Sequence, residues 1–100
     1  MPAANSSTWF VYILRCGDDT LYTGVARDVR ARLAAHASGR GARYTRSRGP
    51  LTLCKTRRCS SKGDALRLEY AIKQLSRPAK EQLLLGQRLG RFARQLLVPV

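Results

Sequence analysis

Between Thr8 and Val25 the chain has few ways to fold. Thr8 to Cys16 is rich in β-branched and aromatic residues and reads as a strand. Alternation puts Trp9, Val11 and Ile13 on one face and Phe10, Tyr12 and Leu14 on the other. Both faces are apolar, so the strand is expected to be central and covered on both sides. Gly17-Asp18-Asp19 is turn chemistry, and Thr20 to Val25 is the returning strand of a hairpin. A slip of one residue would exchange the faces, so loop length decides where Tyr22 lies. A three-residue loop pairs Cys16 with Thr20, sets Tyr12 opposite Gly24 and leaves Tyr22 as a diagonal neighbour on the same face. A two-residue loop of Asp18-Asp19 would separate the tyrosines.

The remainder is mostly helical in pattern. Asp28 is a natural N-cap and Gly39 a natural stop, and Val29, Leu33 and Ala37 recur at helical spacing between them. Arg32 and His36 stand one turn apart on a face bordering that stripe. Gly39 to Pro50 is a glycine-rich basic loop carrying Arg40, Arg43, Arg46, Arg48 and one aromatic, Tyr44. Leu51 to Thr56 alternates as a third strand, running into Lys55, Arg57 and Arg58. Ser61 with Asp64 makes a capping box for a helix to about Leu75, whose core stripe is Ala65, Leu68, Ile72 and Leu75. Glu69 falls inside that stripe, where a carboxylate is costly unless it is paired or binds a cation. Ser76 and Pro78 open a short helix to about Leu85. Leu85, Leu89, Phe92 and Leu96 form a last helical stripe, which reads as docked against the domain rather than on a membrane.

One hundred residues suit a single domain. The expected division is a flexible tail over 1–7, a domain over 8–84 and a helical C-terminal tail over 85–100. No apolar run approaches the roughly 20 residues that span a bilayer, and Met1 to Ser7 has no features of a signal peptide, so a cytoplasmic protein is expected. Cys16, Cys54 and Cys59 lack the paired spacing of a zinc site and read as reduced thiols. The net charge of +13 is uneven. Residues 1–30 balance, whereas residues 31–62 hold nine basic side chains and no acidic one. Charge concentrated in this way suits a polyanion, and the excess of arginine over lysine favours phosphate. Nucleic acid is therefore the expected partner, ahead of an anionic membrane.

Phe10-Val11-Tyr12, ten residues ahead of Tyr22-Thr23-Gly24, resembles the two half-motifs of the GIY-YIG nuclease superfamily. The resemblance continues through Arg32 and His36 in "RARLAAH" and Glu69 in "ALRLEYAIKQL", and covers about Trp9 to Leu84. Each half-motif alone is weak, but the ordered set of five at these spacings is specific. "GARYTRSRGPL" is similar to the branch that includes the nuclease domain of structure-selective junction resolvases. The small size resembles the stand-alone bacterial YhbQ-like proteins. Phe10 and Val11 stand where the family has Gly and Ile, and Thr23 replaces an Ile. Many members carry an Asn after the metal-binding Glu, and the only Asn of this chain is Asn5.

The resemblance implies a small α/β fold, a three-stranded antiparallel sheet flanked by helices. It implies phosphodiester hydrolysis with a divalent metal, Mg²⁺ or Mn²⁺, whose single protein ligand would be Glu69. Tyr12 or Tyr22 would orient or deprotonate the attacking water, and Arg32 would bind the scissile phosphate. His36 would carry a proton or touch phosphate. Gly24 opposite Tyr12 would leave room for a phosphate or the metal. Arg40, Arg43, Tyr44, Arg46, Arg48, Lys55 and Arg57 would contact DNA, with Tyr44 available for stacking. The expectation is a metal-dependent DNA endonuclease, selective for branched or single-stranded structure rather than sequence, with a partner protein to target it. The alternative is a nucleic-acid-binding module that cuts poorly or not at all.

Overall fold

The hairpin turn is three residues long. Cys16 and Thr20 close it, with Cys16 N–H donating to Thr20 O at 2.8 Å and Asp19 N–H to Cys16 O at 2.8 Å. Asp19 takes the left-handed conformation that this loop class needs, at φ 69°. Asp18 Oδ1 accepts from both the backbone N–H (3.1 Å) and the hydroxyl (2.6 Å) of Thr20, which tightens the turn. The register that follows sets Tyr12 against Gly24 and Leu14 against Tyr22, so both tyrosines share a face.

A computed structural model describes residues 8–38 and 48–97. In chain order these are β1 (Trp9–Arg15), β2 (Leu21–Ala26), α1 (Val29–Ala37), β3 (Thr52–Cys59), α2 (Lys62–Lys73), α3 (Arg77–Leu83) and α4 (Arg88–Leu96). The sheet is antiparallel with order β2-β1-β3, so β1 is central as its two apolar faces require. Asp28, Ser61 and Ser76 each cap a helix, accepting from the N–H three residues on. Among the described residues no helix is long and apolar enough to cross a membrane.

The two sheet faces are covered differently. Val11 and Ile13 pack with Ala65, Leu68 and Ile72 of α2, Leu83 of α3, and Leu89 and Ala93 of α4. The last helix is thus docked into the main core. Tyr12 and Leu14 face the other way, toward Val29 and Leu33 of α1. A charge clamp ties the hairpin to α3: Arg15 bonds Glu81 through both Nη atoms (2.8 and 3.1 Å) and Asp19 at 2.8 Å, while Arg77 reaches the same Glu81.

β3 runs further than the Leu51–Thr56 alternation suggests. Arg57, Arg58 and Cys59 continue the ladder opposite Val11, Phe10 and Trp9. Charged side chains are tolerated there because β3 is an edge strand. The register shifts between Ile13 and Leu14, leaving Cys54 as a bulge. The bulge reverses the faces of all that follows: Thr56 and Arg58 lie on the Tyr12 side, Lys55 and Arg57 on the opposite side.

Candidate active site

Tyr12 is at the middle of the central strand and only 2% exposed. Its ring lies across β2, directly over Gly24. A Cβ at position 24 would stand 2.5 Å from the Tyr12 hydroxyl oxygen, 2.6 Å from Cζ and 3.0 Å from the Tyr22 ring. Glycine is therefore needed there for close approach. The space expected for a phosphate or metal over Gly24 is filled by the tyrosine itself, a correction with a simple cause: the missing side chain admits the ring that faces it.

α1 delivers the other half of the cluster. His36 is buried at 4% exposure, and the Tyr12 hydroxyl lies 3.0 Å from its Nε2. The direction of this bond depends on the imidazole tautomer: with the ring proton on Nδ1, Nε2 accepts from the phenol. Tyr22 completes the group, its ring 6.2 Å from that of Tyr12 and 5.4 Å from His36, edge-on to the imidazole. The three rings, from β1, β2 and α1, form one packed unit.

Its electrostatics favour a neutral resting state. Burial first, and then the neighbouring Arg32 guanidinium, lower the pKa of His36, so the imidazole is uncharged at neutral pH and accepts a proton. Burial raises the Tyr12 phenol above its usual range; Tyr22 and Glu69 push the same way, while Arg32 opposes them. Arg32, exposed on α1, and Glu69, from α2, thus both act on the Tyr12 oxygen. The Glu69 side chain is 18% exposed, with Oε2 3.3 Å from Lys73 Nζ one turn on. The sequence thus names five residues, and the structure brings Tyr12, Tyr22 and His36 into direct contact and couples Arg32 and Glu69 to them by charge.

The predicted basic residues are placed less uniformly. Arg40, Arg43, Tyr44 and Arg46 lie outside the described residues. Arg48 pins the end of its loop to the hairpin turn: its Nη1 reaches Asp18 at 2.7 Å, and its carbonyl accepts from Gly17 N–H at 2.7 Å. Lys55 and Arg57 point away from the tyrosines, and Lys55 Nζ donates to Gly86 O at 2.9 Å. Arg58 and Thr56 hold the β3 positions on the tyrosine face instead, and both are exposed. The Leu51, Leu53 alternation carried forward would have chosen Lys55 and Arg57, and nothing in the sequence marks the bulge that reverses it.

Residues 8–82 match the GIY-YIG catalytic domain. The chain belongs to the GIY-YIG family. Its relatives include a UPF0213 protein of Cronobacter sakazakii, 48% identical over 79 residues, covering 79% of this chain and 83% of that one. UPF0213 protein BH0048 of Halalkalibacterium halodurans is 53% identical over 75 residues, covering 75% and 80%. The solution NMR structure of BH0048 superposes with a TM-score of 0.54 at 44% identity, covering 93% of this chain and 99% of that one. That of EF2693 from E. faecalis gives 0.58 at 36% identity, covering 80% and 85%. These neighbours share the three-stranded antiparallel sheet with its helical flanks, and the activity of the GIY-YIG superfamily is that of a nuclease.

The fit of a divalent metal follows from the donor set. Among the described residues no three His, Cys, Asp or Glu side chains converge. Among the described residues Glu69 is the carboxylate whose charge bears on Tyr12. That suits Mg²⁺ or Mn²⁺, which keep most of their waters and take one or two carboxylates plus substrate phosphate.

Proposed function

We propose that this GIY-YIG protein is a metal-dependent DNA endonuclease. The observation that carries the reading is the Tyr12–His36 hydrogen bond at 3.0 Å, with the Arg32 and Glu69 charges both bearing on the same phenol oxygen. The attacking water gives its proton to the Tyr12 oxygen as the Tyr12 proton passes to His36 Nε2. No free phenolate has to form, which matters because burial holds the phenol protonated. Arg32 binds the scissile phosphate and offsets the charge that develops on it. Tyr22 packs on both partners and holds their rings in place. Glu69 would hold Mg²⁺ or Mn²⁺; once bound, the ion polarises the phosphoryl oxygen and stabilises the leaving oxygen.

A module of this size has little surface for reading sequence. Its affinity is expected to come from the phosphate backbone and fall steeply with salt, and its selectivity to come from DNA structure, aided by a partner protein. Three free thiols accord with a cytoplasmic location. The Glu69–Lys73 ion pair favours a second reading, a nucleic-acid-binding module with weak or no cutting, because that pairing satisfies Glu69 without a metal.

The test is cleavage of labelled duplex, single strand, flap and four-way junction in Mg²⁺, Mn²⁺ or chelator, with Glu69→Ala and Tyr12→Phe alongside. Metal-dependent cutting, reduced at least about 100-fold in both variants on the general scale of acid–base catalysis, supports the endonuclease. Binding without cutting on every substrate, unaltered by either change, leaves the binding module.

A further inference from the structure

On the sheet face opposite Tyr12, two arginines from distant parts of the chain converge. Arg57 comes from β3 and Arg94 from α4. They meet over Gly90: a methyl group added there would lie 3.3 Å from Arg57 Nη1 and 3.5 Å from Arg94 Nη1. Arg57 is half-buried along the helix, and its carbon Cζ is 4.0 Å from the same point. Both residues line a cavity shared with Cys59, Ser60 and Leu97. Neither guanidinium pairs with a carboxylate among the described residues. The one acid lining that cavity, Asp64, is turned to other partners, with Oδ1 taken by Arg67 and Oδ2 3.3 Å from the Ser60 hydroxyl.

Like charges brought together without a counter-charge repel one another, and a phosphate relieves that repulsion by accepting from both guanidiniums. A plainer account is that Arg57 merely keeps the β3 edge from pairing with another strand. That account explains a charged side chain on an edge. It does not explain why Arg57 lies back across α4 beside a second arginine rather than extending into water.

We propose that Arg57 and Arg94 form a second phosphate site, holding a backbone phosphate of a nucleic-acid strand away from the scissile bond. The site rests on the nucleic-acid reading above but not on cutting. Since Arg57 opposes Val11 rather than Tyr12, the phosphate it holds belongs to a segment beyond the one at the tyrosines.

The experiment measures binding of the full chain carrying Glu69→Ala to a fluorescein-labelled 20-base-pair duplex and a four-way junction. Anisotropy is read from about 50 to 300 mM KCl, a range chosen because backbone affinity changes steeply across it. Arg57→Gln and Arg94→Gln should each flatten the slope of log affinity against log salt by about 0.9, the value for one phosphate contact. Arg57→Lys should restore most of the slope, which separates lost charge from lost fold. Flattening would uphold the site even if the protein cut none of the substrates in the cleavage test. Unchanged slopes in both Gln variants, with Arg32→Gln still flattening, would overturn it and leave the edge-guarding role. Loss of binding to phosphatidylglycerol vesicles in the double variant, with DNA affinity intact, would overturn it in favour of a membrane surface. Absence of DNA binding altogether would remove the nucleic-acid reading with it.

Discussion

On one side of β1, Val11 and Ile13 meet Leu68 and Ile72, and every one of the four is at most 1% exposed. On the other side Tyr12, at 2% exposure, meets an imidazole and a second phenol. Burial is equal, yet the chemistry differs. Apolar contacts give stability in proportion to area and have no titration. Buried polar contacts give little net stability, but shift the proton affinities of their members. The same strand thus anchors the fold with its odd-numbered residues and contributes Tyr12, on the even-numbered face, to the titratable cluster. Three helices cover the first side, while α1 covers the second only in part, which leaves Arg32 and Arg58 in solvent.

The comparison breaks first if the apolar side does not dominate stability. Leu68→Ala removes a fully buried side chain between α2 and the sheet and should cost about 2–5 kcal/mol. Urea denaturation followed by circular dichroism reads this directly. A loss below about 1 kcal/mol, the cost typical of an Ile-to-Val trimming, would mean that α2 is loosely packed and the contrast between the faces is mistaken.

A smaller effect should come from one methyl group on the tyrosine side. Gly24→Ala forces its Cβ against the Tyr12 hydroxyl and Cζ, at 2.5 and 2.6 Å before relaxation, and should cost about 1–3 kcal/mol by overpacking. It should also displace the Tyr12 ring from His36, visible as shifted aromatic NMR signals and reduced cutting. Gly63→Ala is the matched control. Its added carbon meets nothing closer than the Ser61 hydroxyl at 3.9 Å, and alanine is preferred over glycine in a helix by about 0.5–1 kcal/mol. Equal outcomes at the two positions would show that Tyr12 does not lie over Gly24.

Much of this was legible in the sequence because it is local. Turn chemistry at Gly17-Asp18-Asp19 marked the hairpin but allowed two loop lengths; the expectation that both tyrosines serve one site required the three-residue loop, which is the one found. Asp28, Ser61 and Ser76 announced three helix starts, and the i,i+4 spacing of Arg32 and His36 put them together. The features that were not legible depend on partners far apart in sequence. The Arg15–Glu81 bond spans 66 residues, and no pattern near either residue points to the other. The bulge at Cys54 answers to the fit of β3 against β1, so the strand's own alternation does not show that Lys55 and Arg57 face away from Tyr12. Gly24 looked like an opening because a sequence shows a missing side chain but not the neighbour that fills its place.

The smallest expected effect distinguishes the two sides by acid. His36 has its pKa lowered in the fold, so the unfolded chain takes up that proton more readily than the folded one. Its contribution to stability is complete above pH 6.5, the ordinary histidine value, and is lost as the pH falls from there toward the lower folded value. Glu81, on the apolar side, is held at about 2 by Arg15 and Arg77 against an ordinary 4.5. Its contribution is present above pH 4.5 and is lost as the pH falls through 4.5 toward 2. The clamp is solvent-exposed at its rim, so added salt should shrink the second loss more than the first. Urea midpoints measured from pH 8 to 3 should therefore fall in two stages. His36→Gln should remove the upper stage and Glu81→Gln the lower. Cutting should fade with the upper stage, because a protonated His36 cannot accept from Tyr12. Cutting that holds steady down to pH 5 while stability falls would separate His36 from the proton transfer and leave it a packing residue.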